Sequence, residues 1–140
     1  MRKLTVSIIL SLLFSFSMLA NGATPAPKDA KVYIISPKNG AVVKSPVTVL
    51  FGLSNMGVAP AGVDNANTGH HHLLVDATDT PEMDKPIPKD EHHMHFGGGQ
   101  TQTILKLSPG KHTLQLVMGD KNHIPLSPSV ISKKITITVK

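Results

Sequence analysis

The chain has no cysteine and no tryptophan, and its single arginine is Arg2. Without cysteine there is no disulfide, no thiolate to bind a metal and no acylated lipoprotein terminus. One tyrosine and four phenylalanines are the only aromatics in 140 residues. With no arginine beyond position 2, basic and aromatic residues do not interleave as they do on nucleic-acid surfaces. The formal charge of +5 therefore does not point to nucleic acid, and none is expected as a partner. Helical periodicity is missing as well. No segment past the first 23 residues repeats apolar side chains at a 3.6 period with caps.

The beginning of the chain carries an address. Arg2 and Lys3 precede an apolar stretch from Val6 to Ala20 broken only by serines, followed by Asn21-Gly22-Ala23-Thr24-Pro25. A basic start, a short apolar core and small residues before a proline describe a secretory signal peptide over residues 1–23. The stretch is shorter than the roughly 20 residues of a membrane span, so no stable span is expected after cleavage. The expected location is the periplasm or the medium. Residues 24–31 read as a polar lead-in, and residues 32–140 are long enough for one modest core. Without Arg2 and Lys3 the chain keeps 12 basic and 9 acidic residues, a charge of +3. Six lysines face only Asp120 from Lys106 onward, the pattern of charged sheet edges that discourage pairing with other chains.

Period-two alternation marks the strands. Val32–Ile35 is a first strand, ended by Ser36-Pro-Lys-Asn-Gly40. Val47, Val49, Phe51 and Leu53 share a face on a second. Further strands are expected at His70–Asp76, His92–Phe96, Gln100–Leu107, His112–Met118 and Ser129–Val139. Residues 54–69, 77–91 and 119–128 read as loops, and structureless loops of that length are often functional. The expected fold is all-β, an Ig-like antiparallel β-sandwich of about seven short strands.

Histidine and carboxylate are concentrated where the strands are interrupted. Six of eight histidines fall between His70 and His95, and seven of nine carboxylates between Asp64 and Glu91. Side chains alternate faces along a strand. In His70-His71-His72 the middle residue shares a face with Leu73 and Val75, the expected core side, where His71 serves as a hydrogen-bonded packing residue. His70 and His72 then face away. In His92-His93-Met94-His95-Phe96, Met94 and Phe96 take the core side and leave His93 and His95 together. Two neighbouring His-x-His strands would converge four imidazoles, a donor set that suits Cu²⁺ or Zn²⁺. The expected ligands are His70, His72, His93 and His95. His71, His92, His123, Asp76 and Glu91 are further candidates, with Asp76 or Glu91 able to replace one imidazole. His112 reads as a strand-entry residue. An exposed polar strand edge would show the same histidine run without binding metal for any purpose.

Three phrases in combination carry a family resemblance. They are Thr68-Gly-His70-His-His-Leu-Leu-Val-Asp76, His93-Met-His95-Phe-Gly-Gly-Gly-Gln100-Thr101, and Pro109-Gly-Lys-His112-Thr-Leu-Gln-Leu116 followed by Gly119-Asp120-x-x-His123-x-Pro125. Over roughly residues 50–139 the chain resembles the bacterial family called domain of unknown function 4399. The resemblance implies an exported single-domain protein with a β-sandwich, and it supplies no function. In the family pattern the last loop often has a second histidine after the proline, where this chain has Leu126.

Three functions fit these readings. The leading one is an exported metal-binding protein that stores, transfers or buffers copper or zinc without turnover. The second is an Ig-like interaction module that contacts another envelope protein or a glycan. The third is a small metalloenzyme, for which no catalytic residue is assigned. The sequence leaves the oligomeric state open.

Overall fold

The computed structural model describes residues 23–140. The expected signal peptide lies outside them except for Ala23. The described residues contain no helix. Their strands in chain order are β1 (Lys31–Ser36), β2 (Val42–Val43), β3 (Val47–Ser54), β4 (Gly57–Val58), β5 (Thr68–Val75), β6 (His93–His95), β7 (Gln102–Leu105), β8 (Gly110–Gly119) and β9 (Ile135–Val139).

Two sheets form. The smaller has the order β1-β3-β7, and the larger β2-β9-β8-β5-β4, with β6 also paired to β5. Their inner faces meet as the alternation predicts. Val32, Val47, Val49, Phe51 and Leu105 pack on Leu73, Val75, Leu114, Leu116, Met118 and Ile137. Each such side chain contributes about 1.5–3 kcal/mol by leaving water. Truncating the fully buried Leu116 to alanine costs about 2–5 kcal/mol, because the cavity closes only in part. The all-β sandwich expected from the sequence is the fold observed.

Three details differ from the sequence reading. The dipeptide strands β2 and β4 pair in parallel with β9 and β5, so the sandwich is not purely antiparallel. The last strand begins at Ile135, not Ser129. Ahead of it, Val130 and Ser132 bond β8 through their backbones and Ser132 Oγ takes the Leu116 amide at 2.9 Å. Pairing is interrupted at Lys133–Lys134, where Lys134 Nζ turns aside to the Ala77 carbonyl. The lead-in is also tied down, since the Ala26 amide donates to the Ser127 carbonyl at 2.8 Å and the Ser127 amide to Thr24.

β5 is the strand that positions the site, and it is buried on both faces. His71, Leu73 and Val75 face the core between the sheets. His70, His72 and Leu74 face outward, yet loops cover them. Leu74 is enclosed by Ala77, Ile87, Val117 and Ile131. The Ile87 amide donates to the His123 carbonyl at 2.8 Å, which fastens the 77–91 loop to the 119–128 loop above the sheet.

Candidate metal centre

On the covered outer face, four imidazoles meet. His70, His72, His95 and His123 each offer one ring nitrogen, and these four atoms lie within 4.8 Å of one another. His72 Nε2 is 3.0 Å from His70 Nε2, and His70 Nε2 is 3.2 Å from His123 Nδ1. Two nitrogens on one tetrahedral zinc stand about 3.3 Å apart, given a Zn–N length near 2.0–2.1 Å. The two contacts at 3.0 and 3.2 Å match that spacing, and the wider pairs, up to 4.8 Å, would draw in around an ion.

Register explains the gathering. His72 opposes His95 across β5 and β6, and Leu74 opposes His93. Continuing that register places Gly97 level with His70. A Cβ on Gly97 would lie 2.3 Å from His95 Cε1, so the missing side chain leaves the space into which the His95 ring leans. On the other edge of β5, Gly119 pairs with His70. A Cβ there would meet His72 Nε2 at 2.8 Å. Bare backbone on either side of His70 therefore lets its neighbours' rings close over it.

His123 arrives from the loop after β8. Its amide donates to the Asp120 carbonyl at 2.9 Å, and it has a left-handed φ of 66°. Asp120 Oδ1 accepts the amides of Asn122 and Ile124, and Oδ2 accepts the Thr24 hydroxyl at 2.7 Å. An aspartate that bonds the amides of its own turn is a local device for fixing a loop. Asp120, itself buried, thus shapes the turn that presents His123. The sequence reading gave it no role, although Asp-x-Asn in a glycine-led loop is the signal for such a turn.

The electrostatics favour neutral rings. Burial, then repulsion from His95 and His123, lowers His70 to about 4, against an upward pull from Asp120. Burial and the neighbouring imidazoles lower His72 to about 3. His95 is lowered by burial first, then by His123 and Lys89. A metal needs neutral imidazole, and at neutral pH each of these three rings is in that form, with one nitrogen free of a proton. Nδ1 of both His70 and His72 is buried without a partner. Each costs about 1–3 kcal/mol when it carries the ring proton, which the surrounding fold must offset.

The other expected residues stand elsewhere. His93 shares the face of His95, but two strand positions carry it away from His70 along an antiparallel partner. Its Nδ1 is held by Asp90 Oδ1 at 2.8 Å. His123 occupies the place in the cluster that the sequence reading gave to His93. His92 bonds the Val75 carbonyl through Nδ1, with Glu91 3.7 Å from its Nε2. Asp76 turns to His112, with Oδ2 2.7 Å from Nδ1, while Oδ1 accepts the Thr113 amide. His112 is thus a paired residue and more than a strand entry. This carboxylate and the Ser108 carbonyl hold its pKa above the ordinary value. His71 lies in the core, 5.1 Å from the Phe51 ring by centroid. It packs as expected, but neither ring nitrogen has a hydrogen-bond partner.

No curated protein and no solved structure matches the chain. The family model described as "Domain of unknown function (DUF4399)" matches residues 49–140, a span that contains all four clustered histidines. It covers more than half of the sequence, and the chain belongs to that family.

Proposed function

We propose that this protein is an exported metal-binding protein that holds one copper or zinc ion through His70, His72, His95 and His123 and serves to store, transfer or buffer it. The observation that carries this reading is the four-nitrogen cluster itself. Four imidazoles converge within 4.8 Å under two loops, and among the described residues every histidine–carboxylate pair involves His92, His93 or His112 instead. His70 and His72 are fully buried with Nδ1 unpaired, so holding these rings together costs free energy that a bound ion would offset. An all-imidazole set suits both Cu²⁺ and Zn²⁺. Export rests on the leader over residues 1–23, and with it the expected periplasmic or extracellular location.

The test uses protein secreted from the native host and purified without an affinity tag. Elemental analysis and titration calorimetry should give one tightly bound ion per chain. The copper form should show hyperfine coupling to several nitrogens by electron paramagnetic resonance. A chain that binds neither ion more tightly than free imidazole, or that binds equally well after His95→Ala with His123→Ala, would sink the proposal. Indifference to chelators with an intact fold would favour the interaction module.

A further inference from the structure

We infer that the metal keeps one exchangeable position, which opens into an adjoining cavity and takes a small anion beside Lys89. The inference rests on the metal-centre reading above and adds what the ion would bind.

A cavity of about 310 Å³ adjoins the cluster, lined by His72, His95, His123, Pro86, Ile87 and Lys89. Three of the four imidazoles border it, and His70 does not. An ion among the four rings is closed off on the side of β5 and faces this space on the other. Four protein ligands complete a tetrahedral zinc shell, so a further position requires an ion whose shell can expand. Cu²⁺ in a tetragonal field accepts a further weak ligand.

Charge selects the ligand. Four neutral imidazoles leave the full double charge on a divalent ion. The nearby carboxylate, Asp120, does not line the cavity, and its oxygens are occupied by the Thr24 hydroxyl and two amides. No carboxylate lines the cavity. Asp90, next to Lys89 in sequence, is bound to His93 and the His92 amide. Lys89 lines the same cavity as His95 and brings its ammonium to that space. Metal and ammonium thus present positive charge to one small space with apolar Pro86 and Ile87 beside it. That combination attracts an anion of a few heavy atoms, and an incoming cation would be repelled. The ligand class is a small monoanion such as a carboxylate, a halide or a pseudohalide.

The experiment uses the Cu²⁺-loaded secreted protein with azide as the probe. Azide should add a saturable charge-transfer band and shift the paramagnetic resonance spectrum, while the metal stoichiometry stays constant. Lys89→Gln should weaken azide several-fold, and Lys89→Glu about tenfold or more, because one charge becomes its opposite at close range. Both variants should bind Cu²⁺ with unchanged stoichiometry. Copper bound by several nitrogens but a spectrum unmoved by a large excess of azide would overturn the open position while leaving the metal centre standing. Equal azide affinity in the Lys89→Glu variant would overturn the role of the cavity. Failure to bind Cu²⁺ at all would remove the metal centre, and this inference with it.

Discussion

Histidines of this chain occupy two kinds of place, and the contrast shows what decides their chemistry. His93 and His112 each hold a carboxylate at 2.7–2.8 Å. His70, His72, His95 and His123 hold only one another. The first kind is built from ordinary local pairs near the surface, and at His112 the partner raises proton affinity. In the second kind, burial first and then neighbouring imidazoles lower the proton affinity of His70, His72 and His95. Sequence proximity does not separate the two. His93 and His95 are two residues apart on one strand face and belong to different kinds. The partner that register and loop geometry supply makes the difference.

The sharpest way to break the contrast is to delete one member of each kind. His72→Ala should lower Cu²⁺ or Zn²⁺ affinity by more than about a hundredfold, beyond the loss caused by removing an outer partner of a ligand. His93→Ala should stay within about threefold. Competition against a chromophoric chelator measures both, and similar losses would erase the distinction.

Acid comes next. His70, His71 and His72 bind protons more weakly in the folded chain, at about 4, 4 and 3, than at their ordinary 6.5. Between those values the unfolded chain holds more protons. Stability of the metal-free protein is therefore full above about pH 6.5 and falls as pH drops toward 4. Each histidine protonated only on unfolding adds about 1.4 kcal/mol per pH unit to that slope. Urea unfolding across this range should show a steep loss, and a flat profile would mean the rings are not held neutral.

The glycines give a smaller, more local effect. Gly119→Ala places a methyl against His72 Nε2 and should weaken metal binding about tenfold, as a displaced ligand does when its support is lost. A larger fall in thermal stability than in affinity would point to backbone damage instead.

His112 should show the opposite sign with the smallest size. Its pKa is raised, so its pairing with Asp76 stabilises the fold below about pH 6.5 and the contribution is lost as pH rises through the folded value. His112→Gln should cost about 1 kcal/mol in mild acid and less at higher pH, since Asp76 is partly open to solvent and screened.

Much of the fold was legible because period-two alternation at Val47/Val49/Phe51 and Leu114/Leu116/Met118 is set by one strand's own geometry. The same alternation put His70 and His72 on the side away from the core. Register between strands is a tertiary quantity, and the alternation of β6 alone leaves His93 and His95 equivalent. Their difference follows from which of them opposes His72. His123 was harder still, because its position depends on how the Asp120 turn folds back over β5. Lys133 and Lys134 interrupt the last strand, which the alternation of Ile135, Ile137 and Val139 does not reveal. The short parallel pairings of β2 and β4 involve two residues each, too few for any periodicity to register.

Burial of β5 on both faces has a consequence for how this chain tolerates change. Along β9 the exposed Thr136 lies between half-buried Ile135 and buried Ile137, so acceptable and harmful substitutions should alternate there. Along β5 every residue from Gly69 to Val75 is buried, with the two sheets packed on one side and the histidine loops on the other. A survey of single substitutions scored by folded yield would therefore lose its beat of two at this strand. Seven consecutive positions would resist replacement, and an observer with that map alone would mistake β5 for the central strand of a three-layered protein.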